Sequence, residues 1–106
     1  MKNTRLANLI ALQKKSPEDP FFKYSIALEH ISSNDYQKAI LLFEELYDSN
    51  SDFLPTYYQL AKLLEGSNIE RAKQIYNEGI KLALLEKDIK TMNELQSALN
   101  ILEEDE

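Results

Sequence analysis

The sequence predicts an all-α fold of about six helices, arranged as antiparallel helical hairpins. Three observations carry that prediction. Only two glycines and three prolines occur in 106 residues, which leaves little punctuation for sheets and hairpin turns. Apolar residues recur at spacings of three and four through most of the chain. The stretch Tyr24-Ser-Ile-Ala-Leu-Glu-His30 is echoed by Tyr58-Gln-Leu-Ala-Lys-Leu-Leu64, a period of 34 residues from Tyr24 to Tyr58.

The first helix is predicted over 3–15. Leu6, Leu9, Ile10 and Leu12 form one broad stripe, and Asn3 or Thr4 caps the start. Lys14 and Lys15 suit the negative end of the helix dipole, and Pro17 stops the helix. Asp19 caps a second helix that has Pro20 at its first position, with Phe21, Tyr24, Ile26, Ala27, His30 and Ile31 as packing residues. Ser32 to Asp35 makes a turn in which Asn34 takes a left-handed conformation at low cost.

A third helix follows from about Asp35 to Tyr47, with a stripe of Tyr36, Ala39, Ile40, Phe43 and Leu46. The polar run Asp48 to Asp52 reads as a loop. Pro55 lies in the first turn of the fourth helix, which carries Tyr57, Tyr58, Leu60, Ala61 and Leu64 and ends at Glu65-Gly66-Ser67. Ser67 to Glu70 reads as a capping box for a fifth helix through Ala72, Ile75, Tyr76, Ile80 and Leu84. A short hinge at Lys87-Asp88 precedes a sixth helix with Ile89, Met92, Leu95, Leu99 and Leu102 on one side. Residues Glu103 to Glu106 are expected to fray.

Composition narrows the function. The charge is −6, from 18 acidic and 12 basic residues, which disfavours nucleic acid and anionic membrane as partners. Absence of cysteine removes disulfides, thiol nucleophiles and cysteine-ligated zinc, and fits a cytoplasmic setting. No apolar run approaches the length of a membrane span. The amino end reads as an amphipathic helix, since Asn8 breaks its apolar stretch and no small-residue cleavage site follows. His30 is the sole histidine and reads as a packing residue. Gly66 and Gly79 are isolated, so no phosphate-cradling loop exists, and the pairs Glu44-Glu45 and Glu103-Glu104 read as solvated surface. No catalytic residue, metal or cofactor is expected.

The repeating residues resemble the tetratricopeptide repeat, a 34-residue helix–turn–helix unit. That family favours a large residue then a small one midway along helix A, an alanine early in helix B, and an aromatic four residues later. Residues 20–53 answer with Ile26-Ala27, Ala39 and Phe43. Residues 54–87 answer with Leu60-Ala61, Ala72 and Tyr76. Pro17 lies nine residues before Ile26, so the first helix resembles an orphan helix B. Lys23 replaces the favoured aromatic near the start of helix A, and His30 and Leu64 replace its usual tyrosine. Gly79 matches a small helix-B position where Leu46 is bulkier.

The resemblance implies a single domain over 1–106, a short right-handed α-solenoid with a capping helix at each end, 3–15 and 88–103. It implies a protein or peptide partner held in the concave groove of the helices A. Phe21, Tyr24, Leu28 and Ile31 would line that groove from the first repeat, and Tyr58, Lys62 and Glu65 from the second. One subset of the family clamps carboxylate tails with lysine, arginine and asparagine; Tyr24, Leu28 and Gln59 stand at those positions, so the clamp is absent. The alternative is a homodimer built on Met92, Leu95, Leu99 and Leu102 of the sixth helix.

Overall fold

The computed structural model describes residues 4–105, so the Asn3 cap lies outside the described residues. Six α-helices, and no strand, occur among them: α1 Thr4–Lys15, α2 Pro20–Ser32, α3 Tyr36–Ser49, α4 Pro55–Leu64, α5 Ile69–Leu85 and α6 Ile89–Glu104. The fold is all-α, as the helical periodicity requires. The chain divides into two compact units, the first ending at Phe53 and the second beginning at Leu54.

In the first unit α2 packs against both α1 and α3. Asp19 caps α2 by accepting from the Phe21 amide at 3.0 Å, with proline at the first helical position. Ala27 and Ala39 are fully buried, and their small side chains let the α2 and α3 backbones approach closely. Ile26, Phe43, Leu46 and Leu9 are the other buried apolar residues described in this unit. The Tyr24 ring meets Phe43 and Phe53 edge-on, at centroid distances of 5.7 and 5.6 Å. Arg5 Nε, on α1, pairs with Glu29 Oε2 on α2 at 2.8 Å, and Lys23 Nζ, on α2, pairs with Glu45 Oε1 on α3 at 3.0 Å.

The α2–α3 turn closes as a Schellman motif. Asn34 stands at φ 61°, its amide bonds the Ile31 carbonyl at 2.9 Å, and the Asp35 amide bonds the His30 carbonyl at 2.8 Å. Two expectations for this unit need correcting. Ile10 and Leu12 are exposed and only Leu9 of the α1 stripe is buried, because the main packing of α1 is against α2 and one such neighbour covers a narrow strip. Tyr36 is also exposed; it opens α3, and its hydroxyl reaches back to donate to Asn34 Oδ1 at 2.9 Å. The helix continues to Ser49, two residues past the expected end at Tyr47.

In the second unit α5 packs against α4 on one side and α6 on the other. Gly79 marks a close approach: a Cβ there would lie 2.8 Å from Tyr57 Cβ on α4 and 3.0 Å from Leu95 Cδ1 on α6. Leu60, Ala61, Ala72, Ile75, Tyr76, Ala83 and Leu95 are fully buried. Asn68, not Ser67, caps α5, accepting from the Arg71 amide at 3.2 Å. The tight turn explains this, since Ser67 and Asn68 both donate their amides to the Leu64 carbonyl and Asn68 is the residue left facing the helix start.

Leu84 is exposed and Ala83 takes the buried place, because the inward positions of α5 run Ala72, Tyr76, Gly79, Ala83 in steps of four, three and four. A second Schellman motif ends α5, with Lys87 at φ 60°, its amide on the Leu84 carbonyl at 3.1 Å and the Asp88 amide on the Ala83 carbonyl at 2.9 Å. Asp88 then caps α6, accepting from the Thr91 amide at 3.1 Å and the Thr91 hydroxyl at 2.8 Å. The expected fraying from Glu103 is absent at 103 and 104, because buried Leu102 anchors the last turn of α6.

Candidate partner-binding face

Two helix faces of mixed character flank α5 in the second unit. On α4, Tyr57, Leu60, Ala61 and Leu64 turn inward, which leaves Tyr58, Gln59 and Lys62 on the opposite side. On α6, Leu95, Leu99 and Leu102 turn toward α5, which leaves Asn93, Glu94, Ser97, Ala98 and Ile101. A trough of about 690 Å³ opens between these two faces. That size lies within the ordinary range of ligand-binding clefts.

The lining is chemically mixed. Gln59, Asn93 and Ser97 offer side-chain donors and acceptors, and Ala98 leaves room for a main chain to approach. Lys62 stands on the α4 side and Glu94 on the α6 side, so neither sign of charge dominates. Lys62 Nζ lies 3.8 Å from Glu65 Oε1, a loose pair. The Tyr58 ring is half-buried and rests edge-on against Tyr76 at 6.3 Å.

Glu65 has a structural task. Its Oε2 accepts from the Tyr76 hydroxyl at 2.6 Å, which ties the end of α4 to the middle of α5. Burial, and then the bond and charge of Glu65, push the Tyr76 phenol well above its ordinary value of 10.0. Glu65 thus bonds Tyr76 through one carboxylate oxygen, while the other faces Lys62.

The remaining expected groove residues lie on α2 in the first unit. Phe21 is exposed and contacts Phe22 edge-on at 5.7 Å, while Tyr24, Leu28 and Ile31 are half-buried. His30 lines a separate shallow cleft of about 220 Å³ with Lys38, Leu41, Leu42 and Glu45. Leu95, Leu99 and Leu102 fill the second unit's own core and Met92 is half-buried, so this side of α6 is occupied within the chain. No group of three or more His, Asp or Glu that could hold a metal occurs among the described residues. Nor is any helix among them long and apolar enough to cross a membrane.

Sequence reasoning brought Tyr58 and Lys62 to the trough and missed its whole α6 wall. The signal was present as Asn93, Ser97 and Ile101 with Glu94 and Ala98, a second stripe at helical spacing beside the leucine stripe.

Antiparallel hairpins built on a 34-residue echo, with small residues at the helix contacts, define a helical-repeat protein. Comparison with solved structures makes the class specific. The solution NMR structure of a tetratricopeptide repeat domain protein from Salinibacter ruber is 40% identical, over 85% of this chain and 92% of that one, with a TM-score of 0.80. A crystal structure of the tetratricopeptide repeat domain protein from Salinibacter ruber is 38% identical, over 83% of this chain and 99% of that one, also at 0.80. The chain belongs to the tetratricopeptide repeat family. No family model and no curated relative matches it.

Proposed function

We propose that the chain is a non-catalytic protein-interaction module and that the α4–α6 trough holds a short extended segment of a partner protein. Tetratricopeptide repeats in general serve as protein-interaction modules, which supports the broader reading. The observation that carries the finer one is the chemistry of the lining. An amphipathic helix arrives with its backbone bonds satisfied and needs an apolar groove. An extended peptide arrives with unpaired amides and carbonyls, and Gln59, Asn93 and Ser97 can meet them.

Length agrees with that choice. From Asn93 to Ile101 α6 rises about 12 Å, enough for roughly four extended residues. Ile101 and the Tyr58 ring supply apolar contact at the edges, and the opposed Lys62 and Glu94 suit a peptide of low net charge.

The test uses a peptide selected from a random library on the full chain. Ser97 is exposed, so Ser97→Arg fills the trough without touching the core. Affinity should fall at least about tenfold, a loss of about 1.4 kcal/mol, while the thermal midpoint holds. Unchanged affinity in a folded Ser97→Arg variant would place the peptide elsewhere and remove the trough from the account.

A further inference from the structure

The charges around the α4–α6 trough do not balance, although the two that line it do. Lys62 is the lining base, and its Nζ already faces Glu65 Oε1 at 3.8 Å. Glu94 is the lining acid; it is exposed, and no ion pair is seen for it among the described residues. Lys90 stands one helical turn before Glu94, but its charge also acts on the Asp88 carboxylate that caps α6. At the far end Glu104 is exposed three residues after Ile101, on the same side of α6. The bases about the trough are therefore Lys62 and Lys90, against the acids Glu65, Asp88, Glu94 and Glu104. Acid is in excess, and Glu94 is the acid that lines the trough.

The trough also has an order along its length. Short turns join α5 to α4 and to α6, so both run antiparallel to α5 and parallel to each other. Tyr58 stands three residues past the start of α4 and Glu94 five past the start of α6, axial rises of about 4.5 and 7.5 Å. Both thus belong to the end of the trough where the two helices begin. Ile101 stands about 18 Å along α6, toward the other end.

An aromatic ring near an unpaired carboxylate is suited to a cation. The ring face attracts positive charge, its body covers an aliphatic stem, and the carboxylate supplies the counter-ion. Tyr58 meets these needs, since it is half-buried, braced edge-on by Tyr76 at 6.3 Å, and still lines the trough.

We infer that the peptide in the trough carries a basic side chain, arginine or lysine, seated against the Tyr58 ring and the Glu94 carboxylate. This rests on the proposal that the trough holds a peptide, and adds the chemistry by which one is chosen. The seat is open to solvent, so its contribution falls with salt.

The test selects peptides from a random library on the full chain and measures their affinity by titration calorimetry. The selected sequences should share one position held by arginine or lysine. Glu94 is exposed, so Glu94→Lys keeps its fold, which circular dichroism checks. That variant should bind the selected peptide about tenfold more weakly. The same peptide with its basic residue replaced by glutamate should bind Glu94→Lys more tightly than it binds wild type. Tyr58→Leu should cost the basic peptide more than a version with glutamine at that position. Ser97→Arg separates this inference from the proposal beneath it. Peptides that Ser97→Arg weakens, but that share no basic residue or bind Glu94→Lys as tightly as wild type, would overturn the cation seat and leave the trough standing. Equal losses for the basic and glutamine peptides on Tyr58→Leu, or no preference of Glu94→Lys for the acidic peptide, would overturn the seat as well. Peptides indifferent to both Ser97→Arg and Glu94→Lys would overturn the seat and the trough together.

Discussion

Replacing Gly79 by alanine tests the packing that positions the trough. An ideal Cβ at this residue would lie 2.8 Å from Tyr57 Cβ, 3.0 Å from Leu95 Cδ1 and 3.2 Å from Tyr57 Cγ. Carbon atoms prefer separations of about 3.5–4.0 Å. Leu95 Cδ1 ends a side chain and can rotate away. Tyr57 Cβ cannot, because it is fixed to the α4 backbone, so α4 and α5 must part by roughly 0.7 Å at the contact.

Overpacking of this kind costs about 1–3 kcal/mol, and the constraint from backbone-fixed atoms places Gly79→Ala toward the upper end. Alanine returns up to about 1 kcal/mol through helix propensity. The net loss is about 1–2 kcal/mol, or at least roughly 4 °C in thermal midpoint. Gly66 supplies the control, having no atom within 4 Å of its would-be Cβ and no positive φ. Gly66→Ala should raise stability by about 0.4–1 kcal/mol. Thermal and urea melts followed by circular dichroism read both variants. A Gly79→Ala chain as stable as wild type would refute the reasoning.

Three further outcomes follow from single groups. Thr56 Oγ1 is buried without a hydrogen-bond partner, so Thr56→Val should stabilise by about 1 kcal/mol; a loss of that size in urea melts would mean the hydroxyl is bonded. Tyr76→Phe removes the hydrogen bond to Glu65 and should cost about 1.5–3 kcal/mol at neutral pH. The raised folded value of Tyr76 means the unfolded chain releases that proton first, so its contribution is complete below about pH 10 and fades as pH rises further. The variant should show a shallower alkaline fall than wild type, and an identical slope would contradict the assignment. Bonds from the Thr91 amide and hydroxyl hold Asp88 below its ordinary 3.8. Its contribution is therefore present above that value and lost as pH falls through the folded one; Asp88→Asn, melted across the acid range, should lose less stability there than wild type.

Much of the fold was legible because local chemistry and periodicity pointed the same way. Asp19-Pro20, Asn34 and the buried alanines at 27, 39, 61 and 72 did what their types demand. The expectations that shifted are ones that neighbours decide. Whether Ile10 is covered depends on how many helices touch α1, and whether Ala83 or Leu84 points inward depends on phase accumulated over the 17 residues of α5. Lys87 in a left-handed conformation has no sequence signature, since lysine is not a residue that favours it. Half of the trough was readable for a similar reason. Tyr58 and Lys62 follow from the repeat register, whereas the α6 wall depends on how that helix rolls as its leucines seat on α5.

The central claim is that Tyr58, Lys62, Asn93 and Ser97 form one surface that a peptide occupies. Backbone amide NMR shifts, recorded while the selected peptide is titrated into the full chain, address it directly. The account predicts saturable shifts concentrated on α4 at Tyr58, Gln59 and Lys62 and on α6 at Asn93, Ser97 and Ala98, with the core of α5 unmoved. Shifts confined to α1 and α3, or to the α5–α6 turn, would contradict it.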